Sequence, residues 1–117
     1  MRGGLTCLLL VWFVLSGSAQ YQFVKQWDKR FGGDSVDAIC AIFQDDDGYL
    51  LMGSSNSGIS GDKTQPIWGG NDYWIVKTNF SGTKIWDKRF GGQGGDFLTS
   101  PVLHDSIYVL GGSSGSY

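Results

Sequence analysis

The sequence predicts an all-β protein built from repeated four-stranded antiparallel units. A seven-residue block, Trp-Asp-Lys-Arg-Phe-Gly-Gly, occurs at residues 27–33 and again at residues 86–92, an offset of 59 residues. At that offset residues 25–57 overlie residues 84–116 without a gap, and 16 of the 33 positions are identical. The 19 Gly and two Pro favour turns and short strands over long helices. Repetition at this period indicates units that stack to bury their apolar faces.

Residues 1–19 have the pattern of a secretory signal peptide. Arg2 precedes an apolar run over residues 5–15, and small residues end the run at Ala19. A membrane anchor is the competing interpretation, but the run has eleven residues where roughly 20 are needed to cross a bilayer. We therefore expect cleavage after Ala19 and a secreted, cell-surface or periplasmic protein.

The first part of the mature chain predicts three strands. Residues 21–31 alternate loosely and carry several aromatic residues, which favours a strand. We interpret residues 20–33 as the last strand of an incomplete first repeat. Residues 36–44 form an apolar run of strand length, and residues 49–53 form another. The Asp-Gly pair at Asp47 and Gly48 between these runs predicts a hairpin.

The remainder predicts a complete repeat and part of a second one. Residues 54–71 read as a polar loop, and strands are predicted at residues 72–80 and 83–90 around a Ser-Gly turn. Residues 34–92 then make one complete four-stranded repeat of the kind found in propeller blades. Residues 93–117 make a truncated second repeat with predicted strands at 97–103 and 107–111. Pro101 fits an edge or a bulge better than a central strand.

The repeat resembles those of secreted bacterial β-propeller-like proteins. The resemblance rests on Asp-Gly-Tyr-Leu-Leu-Met-Gly-Ser-Ser at 47–55, Asn-Asp-Tyr-Trp-Ile-Val-Lys-Thr at 71–78, and a Gly-Thr-Lys-Ile-Trp-Asp-Lys-Arg-Phe-Gly-Gly run at 82–92. It implies a β-propeller fold in a large extracellular or surface-attached protein, often with a C-terminal sorting domain and mostly without assigned enzymatic activity. This chain departs from that pattern in length, which suggests a fragment of a larger repeat protein.

Charge and cysteine content exclude some functions. After removal of residues 1–19, eight Lys and Arg stand against eleven Asp and no Glu, and the two signs are interleaved. Nucleic-acid binding requires a basic patch, so we expect none, and we expect no membrane contact after signal cleavage. The single remaining cysteine, Cys40, suggests either intermolecular pairing or, as the favoured interpretation, a small buried side chain in a strand.

Aromatic residues and glycines recur at fixed positions of the repeat. The predicted packing set is Trp27, Phe31, Gly32, Gly33, Trp74, Trp86, Phe90, Gly91 and Gly92. Flat aromatic rings also suit stacking on sugars, but rings at the same position of each repeat more often pack between units. Trp68 lies in the polar loop outside the repeated block and is therefore the candidate for ligand contact.

No catalytic or metal-binding set emerges from the sequence. Residues 45–47 are three consecutive aspartates, which suggests calcium, but the further regularly spaced ligands of a calcium loop are missing. His104 is the only histidine, so zinc sites built on several histidines are excluded, and it reads as an exposed turn residue. We expect no cofactor and no metal.

These observations predict a non-catalytic secreted interaction or scaffold module that binds a protein or a glycan. Self-association through open strand edges is a further expectation, because fewer than three repeats seldom bury enough apolar surface. The alternative is a piece of a secreted propeller enzyme, a hydrolase or a quinoprotein-like protein, whose active site lies in blades outside this chain.

Overall fold

A computed structural model describes residues 22–116. The predicted signal peptide at residues 1–19 lies outside the described residues. All eight described elements are strands: β1 (Asp37–Gln44), β2 (Gly48–Ser55), β3 (Asp72–Asn79), β4 (Lys84–Phe90), β5 (Asp96–Leu98), β6 (Val102–His104), β7 (Ile107–Val109) and β8 (Gly112–Ser114). The first four form one antiparallel sheet in the order β1-β2-β3-β4. The predicted all-β class and the four-stranded meander are thereby confirmed.

Both predicted hairpin turns of this sheet are present. In the first, the Asp45 N–H donates to the Gly48 carbonyl at 3.1 Å, and Gly48 allows β3 to approach closely. A Cβ at Gly48 would stand 1.9 Å from the Thr78 carbonyl oxygen. In the second, Gly82 has a φ of 77°, a conformation open mainly to glycine, and its N–H donates to the Asn79 carbonyl at 3.1 Å.

A β-bulge interrupts β1 at Cys40. Ile39 pairs with Gly53 and Ala41 pairs with Met52, so Cys40 has no residue opposite it. Its side chain is exposed. The favoured prediction of a buried Cys40 is therefore wrong, because the bulge on an edge strand turns this position away from the core.

The complete sheet has two differently covered faces. We call the face that carries Leu50, Met52 and Ile75 the back face, and the face that carries Ile39 and Leu51 the front face. Leu98 of the second repeat packs on the back face and completes the buried core. The partly buried residues around this core are Phe43, Tyr73, Tyr108 and Leu110. Each repeat therefore supplies part of the core of the other.

The second repeat consists of two short ladders rather than two continuous strands. β5 pairs with β8, and β6 pairs with β7. The continuous strands predicted at 97–103 and 107–111 are thus wrong. Pro101 has no N–H to donate to a ladder, and the N–H groups of Thr99 and Ser100 both donate to the Gly111 carbonyl. Because two successive N–H groups share one carbonyl, the regular ladder is broken at this point in both predicted strands.

The predicted strand at residues 21–31 is also wrong over its described part, since residues 22–33 form no strand. The equivalent residues of the complete repeat pair with β3. At the 59-residue offset, the equivalent of β3 is residues 13–20, most of which belong to the predicted signal peptide. No described strand pairs with residues 22–33, and residues 27–31 lie beside the front face.

The described residues hold one complete four-stranded sheet and no closed ring of sheets. The propeller part of the prediction therefore stays a prediction, as do the domain boundaries at residues 19, 33 and 92.

Candidate functional site

A hydrogen-bonded corner recurs at the entrance to each repeat. In the first repeat Asp37 Oδ2 accepts from the Gly33 N–H at 2.7 Å and from the Ser57 hydroxyl at 3.0 Å. In the second repeat Asp96 Oδ2 accepts from the Gly92 N–H at 2.8 Å and from the Ser116 hydroxyl at 2.9 Å. The Gly-Gly pairs thus bring the backbone close to a carboxylate, and their role is structural.

Hydrogen bonds from the Ser114 hydroxyl and the Gly92 N–H hold the pKa of Asp96 below its usual value. The carboxylate of this corner is therefore charged at neutral pH and is held by the chain itself.

The loop between β2 and β3 covers a buried charged cluster. Lys63 is only 1% exposed, and its Nζ donates to the Ser57 carbonyl at 2.5 Å. Burial lowers the pKa of Lys63, while the nearby carboxylates of Asp72 and Asp37 oppose that shift. The Lys63 ammonium therefore bonds within the loop and is closed to solvent.

Asp87 on β4 is the most heavily bonded residue of this cluster. Its carboxylate accepts from the Thr64 N–H at 2.9 Å, the Thr64 hydroxyl at 2.6 Å and the Trp74 Nε1–H at 2.9 Å. Lys84 Nζ lies 3.0 Å from its Oδ1. Burial alone would raise the pKa of Asp87, but these donors outweigh it and lower the pKa to about 2. The cluster fixes the loop over the sheet.

Trp68 stands on this anchored loop and is 63% exposed. The Arg89 guanidinium lies over the indole, with Cζ 4.0 Å from the ring centroid. Arg89 also contacts the fully buried Asp72 carboxylate at 3.5 Å, and the same carboxylate oxygen accepts from the Trp68 N–H at 2.9 Å. One buried carboxylate therefore holds both the backbone and the stacking partner of an exposed indole.

Trp68 also lies where the two repeats meet. The N–H of Gly70 donates to the Gly94 carbonyl at 3.3 Å, and the N–H of Asp96 donates to the Asn71 carbonyl at 2.6 Å. A Cβ at Gly69 would stand 2.1 Å from the Gly94 carbonyl oxygen. The loop and the inter-repeat turn are thus in close contact, which leaves the indole rigidly supported.

The predicted packing tryptophans occupy three different environments. Trp27 packs on Tyr49 with ring centroids 6.0 Å apart and donates from Nε1 to the Phe80 carbonyl at 2.8 Å. Trp74 is buried and bonded to Asp87. Trp86 projects from β4, with Lys88 Nζ 5.6 Å from its ring centroid. Trp27 and Trp86 are thus exposed to nearly the same extent, 37% and 39%, but of the two it is Trp27 that packs on another ring and donates a hydrogen bond.

The two phenylalanines of the packing set differ in burial. Phe31 is partly buried against the front face, whereas Phe90 at the end of β4 is exposed.

A cavity of about 380 Å³ lies between residues 27–31 and the front face. The sheet contributes mainly apolar side chains to its lining, and the N-terminal segment contributes aromatic and basic ones. The lining residues are Trp27, Lys29, Arg30, Phe31, Asp37, Ala38, Ile39, Ile42, Leu51, Gly53, Trp74 and Val76. Trp68 is not among them, so the cavity and the exposed indole are separate features.

Two of the three aspartates in the acidic hairpin turn pair with a lysine of β3. Lys77 Nζ forms ion pairs with Asp45 and, at 2.5 Å, with Asp47. The bond from Lys77 lowers the pKa of Asp45. In residues 22–116 no group of three or more histidine, cysteine or acidic residues is arranged to hold a metal ion. His104 is exposed at the end of β6, as predicted, and its Nε2 lies 3.6 Å from Asp105 Oδ2.

Sequence reasoning missed the roles of Lys63 and Asp87. Asp37 and Asp96, by contrast, are identical partners in the repeat alignment, as are Ser57 and Ser116. An aspartate and a serine thus recur at the same spacing in both copies, and this pattern could have predicted the hydrogen-bonded corner. The counterparts of Lys63 and Thr64 lie beyond residue 117, so the repeat gave no such signal for the cluster.

No protein-family model, curated protein or solved structure matches this chain. Among the residues that the structure describes, no helix has the length and apolar character needed to cross a membrane.

Proposed function

We propose that this chain is a non-catalytic, secreted interaction and scaffold module of the β-propeller type, part of a larger repeat protein. The observation that carries the proposal is the exposed Trp68 indole, which is held rigid by Arg89 and the buried Asp72 at the junction of two repeats. A preorganised flat aromatic surface loses little conformational entropy on binding. It suits a glycan, and an exposed patch of a protein is the second candidate ligand.

The propeller part of the proposal draws support from the strand order and from the stacking of repeats. A four-stranded antiparallel meander is the unit of a propeller blade, and β1 to β4 have that order. The second repeat packs face to face on the first through Leu98. The recurring Asp37 and Asp96 corners give both units the same entry geometry.

The non-catalytic part draws support from how the charged groups are used. A catalytic carboxylate needs access to a substrate and a pKa suited to proton transfer. Asp87 has a pKa of about 2, and its carboxylate oxygens accept hydrogen bonds from Thr64, Trp74 and Lys84. Asp72 is fully buried beneath the loop. These carboxylates maintain the fold.

Glycan-array binding of the purified, fluorescently labelled protein tests the proposal. We expect Trp68→Ala to weaken binding roughly tenfold or more, as for other aromatic anchors. Trp86→Ala is the matched control, because it removes a comparably placed surface indole outside the loop, and it should leave binding unchanged. Circular dichroism should show the same strand content for both variants.

Two outcomes contradict the proposal. Equal binding by the Trp68→Ala variant and the unmodified protein removes the assignment of this indole, and the same pair of variants then tests pull-down of secreted proteins. Turnover of glycoside, ester or peptide substrates by the purified chain overturns the non-catalytic assignment.

A further inference from the structure

The contact between the two repeats shows what covers a sheet face in this protein. Leu98 of the second repeat joins Leu50, Met52 and Ile75 of the back face in one buried cluster, and Tyr108 and Leu110 pack against this cluster. The Tyr108 ring also lies 5.5 Å from that of Phe43 on β1. Leu98 is only 5% exposed as a result. One face of the second repeat thus fits the back face of the first.

The first repeat carries the equivalent of the surface through which the second repeat packs, and no second described sheet covers it. At the 59-residue offset Leu98 corresponds to Ile39, Tyr108 to Tyr49, and Leu110 to Leu51. These equivalents belong to the front face. Ile39 is 56% exposed, more than ten times the exposed fraction of Leu98. Ile42 beside it is exposed as well, and both line the 380 Å³ cavity.

The second repeat carries the complementary surface on its other side. At the same offset Phe43 corresponds to Val102, and Leu50 corresponds to Val109. Val102 and Val109 are directly paired between β6 and β7, and they point away from Tyr108 because side chains alternate along a strand. Both are exposed, as is Ile107 two residues before Val109. We call this set, Val102, Ile107 and Val109, the outer surface.

We propose that the front face of one copy binds the outer surface of a second copy, head to tail, and so repeats the contact that already joins the two repeats within the chain. The occupant is argued from register, since Ile39 and Leu51 are the 59-residue equivalents of Leu98 and Leu110, and Val102 and Val109 are those of Phe43 and Leu50. This inference rests on the scaffold part of the proposed function and is independent of Trp68.

The contact is heterologous, because each copy contributes a different surface. Such contacts close into rings when the rotation permits and otherwise extend as open filaments. Residues 27–31 already flank the front face and leave the cavity between themselves and the sheet. The second copy is expected to bury Ile39 and Ile42 next to that segment.

Sedimentation velocity over a range from micromolar to near-millimolar protein tests the proposal. We expect the average mass of the unmodified protein to rise with concentration. Ile39→Asp on the front face and Val109→Asp on the outer surface should each remain monomeric, because a buried unpaired charge disfavours the contact. Ile59→Asp is the control, since Ile59 is at least as exposed as Ile39 and Val109 but lies in the loop, and it should associate like the unmodified protein.

An equimolar mixture of the two blocked variants provides the decisive measurement. Each retains the surface that the other lacks, so a head-to-tail contact predicts a mixed dimer and no larger species. A mixture that stays monomeric, or single variants that still associate, overturns the proposal. An unmodified protein that is monomeric throughout also overturns it and assigns the front face to a further repeat of a longer polypeptide. Ile39→Asp keeps Trp68, so glycan binding by this variant separates a failure here from a failure of the proposed function.

Discussion

The same seven residues occupy two different structures in this protein. At 86–92 the block supplies most of β4, pairs with β3 and joins the core sheet. At 27–33 the identical block forms no strand and lies beside the front face. Local propensity is the same in both places, so the difference comes from tertiary context: β3 pairs with the second copy, and no described strand pairs with the first. Strand formation at this sequence is decided by tertiary contacts.

The acidic residue of the block shows the difference most sharply. Asp28 pairs with Lys25 at 2.7 Å, and Asp87 pairs with Lys84 at 3.0 Å, so the two ion pairs are equivalents in the repeat. The Asp28 side chain is 73% exposed, whereas that of Asp87 is 1% exposed. An exposed pair contributes little, while a buried one that also serves several donors is costly to break.

The largest expected effect comes from removing each aspartate in turn. Asp87→Ala removes the acceptor of Thr64 and Trp74 and one of the two acceptors of Lys84, and it should lower the free energy of unfolding by about 3 kcal/mol. Asp28→Ala should leave it within error of the unmodified protein. Urea unfolding at neutral pH measures both. Similar losses for the two variants would mean that the exposed copy of the block is as important for folding as β4.

Acid titration sharpens the same comparison. The pKa of Asp87 is lowered in the folded state to about 2 from 3.8, so its stabilising contribution is complete above the unfolded value. That contribution, about 2 kcal/mol, is lost as the pH falls from about 4 to about 2. Over this interval the Asp87→Asn variant should lose about 2 kcal/mol less than the unmodified protein. Asp28→Asn should follow the unmodified protein, and an identical acid profile for Asp87→Asn would contradict the assignment.

The glycines of the two blocks should also respond unequally. A Cβ at Gly91 would stand 2.5 Å from Asp72 Oδ1 and 2.7 Å from Asp96 Oδ2, and the φ of Gly91 is 156°. A Cβ at Gly32 would stand 3.0 Å from Asp37 Oδ2, with no such φ. We expect Gly91→Ala to cost about 2 kcal/mol and Gly32→Ala clearly less. Thermal unfolding of the two variants measures the order, and the reverse order would contradict it.

The smallest effect concerns the indole nitrogens. Trp27→Phe removes the bond from Nε1 to the Phe80 carbonyl but keeps a ring against Tyr49, so the loss should be about 1 kcal/mol. Trp86 Nε1 makes no hydrogen bond to the described residues, and Trp86→Phe should be neutral in the same urea experiment. A neutral Trp27→Phe would mean that residues 22–33 are held by other contacts.

The four strands of the complete repeat were predictable because their signals are local. Apolar runs of strand length stand between Asp-Gly and Ser-Gly turns, and the structure places β1 to β4 there. Pro101 was expected at an edge or a bulge, but the division of the second repeat into two ladders and the missing strand at 22–31 were not predicted. Both depend on which backbone groups are present to pair, and a stretch of sequence carries no such information about its neighbours.

The candidate site, like the fold, was predictable only in part. Trp68 was singled out because it lies in a polar loop outside the repeated block, and it is indeed exposed. Its support was not predictable, since the bonds that anchor the loop join residues such as Thr64 and Asp87, 23 positions apart. Pairing at that distance depends on the packing of the loop over the sheet.

The bulge at Cys40 bears on how this protein behaves in concentrated solution. β1 and β4 are the outer strands of the complete sheet, and an exposed edge is a template for amyloid-like growth. The bulge leaves β1 without a regular row of donors and acceptors at its centre. β4 carries Lys84 and Lys88 along its length, and lysines discourage pairing at an edge. Growth by addition of strands at these two edges is therefore expected to be disfavoured relative to association through the open apolar faces.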